Sequence, residues 1–175
     1  MNRRAFAASM ARELSRCERH HYPLSLALLD IDHFKKINDS RGHPVGDRVI
    51  AQVGELLRTH LRLSDLAARW GGGEFVVAYT STDFGGARIA AERLREAIER
   101  VELYSDAGDR IAVTVSMGLA SLHSNEELSS LVDRADKAMY VSKNAGRNRV
   151  SVCSEDTAVG ASPAVPNAGP ALRAN

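Results

Sequence analysis

A mixed α/β (α+β) domain built on one β-sheet is what this chain predicts, and three observations carry the prediction. Stretches with apolar residues at helical spacing alternate with short, nearly continuous apolar runs. Two of those runs, Leu66–Trp70 and Phe75–Tyr79, flank Gly71-Gly-Gly73 and read as a hairpin. A third, Ile111–Leu119, is rich in β-branched residues that suit a pleated sheet. The order α, β, αα, ββ, α, β, α, β mixes helices with one adjacent strand pair, which implies a single sheet covered by helices.

Residues Arg3–His20 place Phe6, Met10, Leu14 and Cys17 at helical spacing, and Pro23 stops that helix. Leu24–Ile31 is apolar enough for a strand covered on one or both faces. A short helix follows over Phe34–Asp39. Gly42-His-Pro44 punctuates the chain, and Pro44 suits the first turn of the next helix. Val45, Val49, Ile50, Val53, Leu56 and Leu57 form its apolar stripe. Beyond the hairpin, Phe84–Val101 reads as a charged amphipathic helix. Ser124 and Glu127 have capping-box spacing ahead of the stripe Leu128, Leu131, Val132, Ala135, Ala138, Met139 and Ser142. Gly146 ends that helix, and Arg149–Cys153 suits a last short strand. Residues 1–152 are expected to form the domain. Residues 153–175, rich in Ala, Pro, Gly and Asn from Glu155 onward, are expected to be a disordered tail.

The bulk numbers exclude more than they assign. A chain of 175 residues, 44% hydrophobic and 26% charged, can bury one real core. A net charge of +1 gives no broad electrostatic case for nucleic acid or a membrane surface. No apolar run approaches the ~18 residues of a membrane span, and the N-terminus lacks the apolar core of a signal peptide. Cys17 and Cys153 fit no metal or redox spacing and are expected to be reduced thiols. The expected location is the cytoplasm.

Chemistry concentrates at the end of the first strand. Asp30 and Asp32 stand where open α/β sheets bind ligands. Such hard oxygen donors suit Mg²⁺, which usually takes one or two carboxylates plus phosphate oxygens. A solvated strand end with Asp32 as a helix cap is the plain alternative. Lys35 and Lys36 open the following helix, whose backbone N–H groups could receive phosphate; a wet lysine pair is the alternative. Asn38 and Asp47 offer the amide and carboxylate chemistry that reads a guanine edge, with His43 between them, though each alone suits a turn or cap. The glycine run permits close backbone approach, as it would in an ordinary hairpin. Lys143 and Arg147 flank a helix C-terminus, where they could complement the dipole or converge on a triphosphate. Arg62 and Asp65 could be a weak local ion pair, or a fork and an acceptor for a planar nucleotide base.

Taken jointly, the pieces resemble the GGDEF domain family, the diguanylate cyclases of bacterial second-messenger signalling. The resemblance runs from about Asn2 to Val152. It rests on Asp30-Ile-Asp-His-Phe-Lys-Lys-Ile-Asn-Asp39, Gly42-His43, Gly46-Asp47, Arg62-Leu-Ser-Asp65, Arg69-Trp-Gly-Gly-Gly-Glu-Phe75, Val113-Thr-Val-Ser-Met-Gly118, Ala135-Asp136 and Tyr140-Val-Ser-Lys-Asn-Ala-Gly-Arg-Asn148. It implies a palm-like fold similar to nucleotide cyclases and polymerase palms, with a central five-stranded, mostly antiparallel sheet wrapped by helices. It also implies condensation of two GTP into cyclic di-GMP and pyrophosphate by a head-to-head homodimer, with Mg²⁺ or Mn²⁺ neutralising the triphosphates. By the same resemblance Asp30 binds the metal through its side chain and Ile31 through its carbonyl, while Lys35 stabilises the transition state. Asn38, His43 and Asp47 surround guanine. Gly71 and Gly72 let the nucleotide pass, Lys143 and Arg147 hold phosphates, and Arg62, Asp65 and Arg93 form an inhibitory cyclic di-GMP site.

Two departures from the family pattern stand out. The signature normally carries an acidic residue where Gly73 stands, and that carboxylate completes the metal site. Asp32, two residues from Asp30, is the better substitute, because Glu74 should face away from position 73 on a strand. The family's usual leading segment is also cut to Met1-Asn2-Arg3-Arg4, so the N-terminal edge reads as truncated, with room for an upstream sensor domain. Two functions follow: a diguanylate cyclase impaired at Gly73, or an inactive domain that binds GTP or cyclic di-GMP as a signalling module.

Overall fold

The structure is a computed structural model that describes residues 1–154 and residue 156. Its elements are α1 (Arg3–His20), β1 (Leu24–Ile31), α2 (Phe34–Arg41), α3 (His43–His60), β2 (Leu66–Arg69), β3 (Glu74–Thr80), α4 (Phe84–Glu99), β4 (Leu103–Tyr104), β5 (Arg110–Ile111), β6 (Val115–Ser121), α5 (Leu128–Asn144) and β7 (Arg149–Val152). Five strands form one sheet in the order β2-β3-β1-β6-β7. All neighbours in it are antiparallel except β6 and β7. The expected α/β fold with a mostly antiparallel five-stranded sheet is therefore present.

Strand alternation builds two cores, because successive side chains leave a strand on opposite faces. Ala27, Leu29, Ile31, Phe75, Val77, Met117 and Leu119 pack with Val45, Val49 and Val53 of α3 and with Leu94 and Ile98 of α4. Leu24, Leu26, Leu28, Val76, Ala78 and Ala120 pack with Phe6 and Met10 of α1 and with Leu131, Ala135 and Met139 of α5. Burial on both faces explains why β1 reads as a continuous apolar run. At Gly118 a Cβ would overlap both the Ala135 carbonyl oxygen and the Met139 nitrogen. Helix α5 thus lies directly on the β6 backbone, and glycine is what admits it.

Two expectations needed correction. The β-branched run Ile111–Leu119 is not one strand: Arg110–Ile111 pairs with Leu103–Tyr104 in a separate hairpin, and the sheet strand begins at Val115. Between them the Thr114 carbonyl accepts a hydrogen bond from the Asp32 N–H at 2.9 Å, which continues the β1–β6 ladder by one pair. The Ser124/Glu127 capping box does not form. Helix α5 begins at Leu128 without a side-chain cap, and Glu126 instead accepts from the His123 N–H at 3.0 Å. Packing also continues past residue 152, the expected end of the domain. Cys153 is buried, and Asp156 accepts hydrogen bonds from buried Arg134 at 3.1 Å and from the Ser121 N–H at 3.0 Å. The rest of the expected tail lies outside the described residues.

Candidate nucleotide site

Asp30 is the last outward-opening position of β1. It faces the α5 side of the sheet, where Lys143 Nζ lies 3.0 Å from its Oδ2. Burial pushes the Asp30 carboxyl above its ordinary range. Lys143 offsets part of that rise, nearby Asp32 adds to it, and Arg147 opposes it. Across the ladder, the register partner of Asp30 is Glu74. Directly opposed residues of an antiparallel pair share a face, so Asp30 and Glu74 lie together. The Ile31 N–H donates to the Gly73 carbonyl at 3.1 Å, which holds the glycine hairpin against the end of β1.

The hairpin itself is clamped by Arg69. Its Nε lies 3.2 Å from the carbonyl oxygens of Gly71 and Gly72, and its Nη2 lies 2.9 Å from that of Gly72. Gly72 is open, with nothing within 4 Å of where a Cβ would stand, whereas Glu74 folds over Gly71. Gly73 is buried and faces the opposite layer. A Cβ there would meet Phe34 Cγ and Cδ1 at 2.9 Å, so the Phe34 ring occupies the space an acidic side chain would need to cross.

The structure places Asp32, expected to rank above Glu74, among donors of its own. Past the end of β1 the chain turns, and Asp32 points inward and is 5% exposed. Its Oδ1 accepts from Ser116 Oγ at 2.6 Å, and its Oδ2 accepts from Thr114 Oγ1 at 2.8 Å and from the Asn148 N–H at 3.1 Å. These donors occupy the carboxylate, whose charge still acts on Asp30, while Glu74 stands across the ladder from Asp30.

Helices α2 and α3 supply a second group. A Cβ on Gly46 would overlap Asn38 Oδ1, so the Asn38 amide rests on the α3 backbone immediately before Asp47. Gly42 makes the turn between the helices at φ +84, a conformation glycine adopts freely. His43 and Asp47 are exposed on the first turn of α3, and Lys35 is exposed on the first turn of α2. Lys143 lies in the last turn of α5, and Arg147 is exposed just beyond it with φ 64.

The Arg62–Asp65 segment forms a turn rather than a side-chain ion pair. Asp65 accepts from the Arg62 N–H at 3.0 Å and from the Thr80 N–H at 3.2 Å. Arg62 and Arg93 are exposed, and among the described residues no ion pair joins either to Asp65. Arg93 lines an open groove on α4 with Arg88, Ile89 and Glu92.

Sequence reasoning missed Arg69, Phe34, Gly46, Thr114, Ser116 and Asn148 as shapers of this region. All six stand in the motifs that carry the family resemblance, yet their spacing alone assigned none of them this role. All but Arg69 act through contacts distant in sequence.

Among the described residues no group of three His, Cys, Asp or Glu side chains is gathered to hold a metal ion by itself. The donor set of Asp30 with Glu74 beside it fits a hard cation whose remaining ligands are phosphate oxygens and water. No helix among the described residues is long and apolar enough to cross a membrane.

Comparison with known proteins identifies the family of the fold. The family model described as diguanylate cyclase, GGDEF domain matches residues 1–149. Diguanylate cyclase A of Treponema denticola is 44% identical over 130 residues, covering 74% of this chain and 35% of the relative. Diguanylate cyclase DosC of Escherichia coli is 35% identical over 152 residues, covering 87% of this chain and 33% of the relative. The solved GGDEF domain of DgcB from Caulobacter crescentus, in complex with c-di-GMP, superposes with a TM-score of 0.83 at 35% identity, covering 87% of this chain and 90% of that one. The active GGEEF domain of a diguanylate cyclase from Vibrio cholerae does so with a TM-score of 0.81 at 30% identity, covering 87% and 96%. The chain belongs to the diguanylate cyclase GGDEF domain family. It spans about a third of the length of these curated relatives.

Proposed function

We propose that this domain binds GTP with Mg²⁺ or Mn²⁺ at the end of β1 and condenses two GTP into cyclic di-GMP at a rate limited by Gly73. The observation that carries the reading is the Asp30 carboxylate, held 3.0 Å from Lys143 and facing an open glycine hairpin. Asp30 and the Ile31 carbonyl would hold the cation, with Glu74 across the ladder and Asp32 as the further acids. Lys143 leaves Asp30 to meet the triphosphate, together with Arg147, and Lys35 neutralises charge developing at the α-phosphate. Asn38 and Asp47 read the guanine edge beside His43, and Gly71 and Gly72 leave room for the nucleotide. In two facing domains, each 3′-hydroxyl attacks the other nucleotide's α-phosphate. A P–O bond forms to the 3′-oxygen, the bond to pyrophosphate breaks, and the hydroxyl proton passes to water. The reaction belongs in the cytoplasm, where GTP and Mg²⁺ are supplied.

The bound cation would supply charge neutralisation on the triphosphate. An acidic residue at position 73 adds to that field, and such electrostatic contributions are worth several kcal/mol, or about 10²–10⁴-fold in rate. Wild-type protein is expected to bind GTP with Mg²⁺ in calorimetry, and Asn38→Ala or Asp47→Ala to weaken that binding. It is expected to make little cyclic di-GMP, and Gly73→Glu to raise the initial rate at least tenfold while lowering Tm, because Phe34 must move aside. Equal turnover by the two proteins would remove Gly73 as the limiting feature. No heat with GTP would remove the nucleotide site.

A second reading is favoured by the exposure of Arg62 and Arg93 and by the burial of Gly73. In it the domain binds cyclic di-GMP or GTP as a signalling module under an upstream sensor domain. Loss of cyclic di-GMP binding in Arg62→Ala, with no turnover even in Gly73→Glu, would select it.

A further inference from the structure

Arg147 and Asn148 follow α5 with φ values of 64 and 45, a left-handed pair that side chains other than glycine rarely adopt in succession. The surroundings hold this conformation from several sides. The Arg147 N–H donates to the Ser142 carbonyl at 3.0 Å, and its carbonyl accepts from Arg149 Nε at 3.0 Å. The Asn148 N–H donates to Asp32 Oδ2 at 3.1 Å. The Asn148 amide spans to α4: its Oδ1 accepts from Arg95 Nη1 at 2.9 Å, and its Nδ2 donates to Glu99 Oε1 at 2.8 Å. Only one orientation of the amide satisfies both an arginine donor and a carboxylate acceptor. Arg95 is itself braced by Glu92 at 2.8 Å and Glu99 at 2.7 Å, with its side chain 13% exposed.

We infer that Asn148 is a positioning residue, one that ties α4 to the end of β1 and thereby fixes the backbone from which Arg147 reaches the nucleotide phosphates. Resting on the GTP-binding reading above, this makes α4 part of the phosphate site although it contacts no phosphate itself. Arg147 is exposed, and among the described residues no side chain anchors its guanidinium, so its aim is set by its backbone. Without the Asn148 amide, the loop loses its link to Arg95 and Glu99 and keeps the Asp32 contact and its local bonds to Ser142 and Arg149. Outer residues that orient ligand-binding groups typically cost 10–100-fold in affinity or activity when removed.

The test is calorimetry of GTP with Mg²⁺ on the whole chain, comparing wild type, Asn148→Gly, Arg147→Ala and the double variant. Glycine removes the amide while accepting the positive φ, so backbone strain is not added. Asn148→Gly is expected to weaken GTP binding by about tenfold or more. In the Arg147→Ala background the same substitution is expected to have almost no further effect, because the path runs through Arg147. Arg95→Ala should behave like Asn148→Gly, and Arg95→Lys should restore part of the affinity by keeping a donor for Asn148 Oδ1. Unchanged affinity in Asn148→Gly, or an equal loss with and without Arg147, overturns the inference while leaving the nucleotide site standing. Absence of GTP binding by wild type overturns both. Where Asn148→Gly does not fold, Arg95→Ala against Arg95→Lys in the two Arg147 backgrounds decides the matter with the same outcomes.

Discussion

Asp30 is held in a state that costs the folded protein something. Its carboxyl is raised above the ordinary range chiefly by burial, and the Lys143 ion pair only partly compensates. A raised folded value means that the native state binds more protons than the unfolded chain between the two titrations. Stability therefore falls as pH rises through that interval. Asp30→Asn keeps the shape and removes the ionisation, while Lys143, 30% exposed, stays hydrated. The variant is expected to melt above wild type at pH 7. The gap should close as pH falls below about 3.9, where the unfolded carboxyl is also protonated. The same variant should lose the rise in Tm that GTP with Mg²⁺ gives wild type. Melting curves from pH 3 to 8 check both parts, and a variant less stable than wild type at neutral pH would contradict the account of Asp30. Asp30 was legible in the sequence because a carboxylate closing an apolar run is unusual. The hydrogen bonding of Asp32 was not legible, because its partners, Thr114 and Ser116, are far along the chain and only the fold brings them near.

At the scale of elements, the helices and the β1–β3 core were legible because period 3.6 and continuous apolar runs report burial directly. The break at residues 112–114 was not, since β-branched residues continue through it while Arg110–Ile111 pairs with Leu103–Tyr104 and the sheet strand pairs with β1. The contact of α5 with β6 left only a glycine as its trace. Its tightness makes a sharp prediction. Gly118→Ala puts a methyl group into the α5 backbone, which cannot swing aside as a side chain can. The expected cost is about 3 kcal/mol or more, roughly a 6–12 °C fall in Tm for a domain of this size. Gly54, in the middle of α3, has nothing within 4 Å of an added Cβ, so Gly54→Ala should stabilise by about 0.5–1 kcal/mol. Thermal melts of the pair read opposite signs. A fall of less than about 1 kcal/mol for Gly118→Ala would contradict the direct contact of α5 with the β6 backbone.

For the whole molecule, the proposed chemistry sets a requirement that no single copy meets. One domain offers one Asp30, one guanine-reading pair and one phosphate-binding end, whereas the condensation joins two nucleotides. The second GTP must arrive on another copy related by a twofold axis, so that each nucleotide is both nucleophile and electrophile. Twofold closure of this kind makes activity depend on association. At protein concentrations below the dimer dissociation constant, the population of facing pairs grows as the square of the total. With the Gly73→Glu variant of this chain, chosen to make turnover measurable, doubling the protein is expected to raise the initial rate of cyclic di-GMP formation nearly fourfold at low concentration. The increase should decline toward twofold as pairing saturates. Fusing a parallel coiled-coil dimer ahead of α1 should raise the low-concentration rate and make it linear in protein, through the higher effective concentration of the tethered partner. A rate proportional to protein from nanomolar to micromolar without the fusion would show that the pair is already formed or that a single copy suffices. Sedimentation over the same concentrations separates the two, since a preformed pair runs as a dimer and a self-sufficient copy as a monomer.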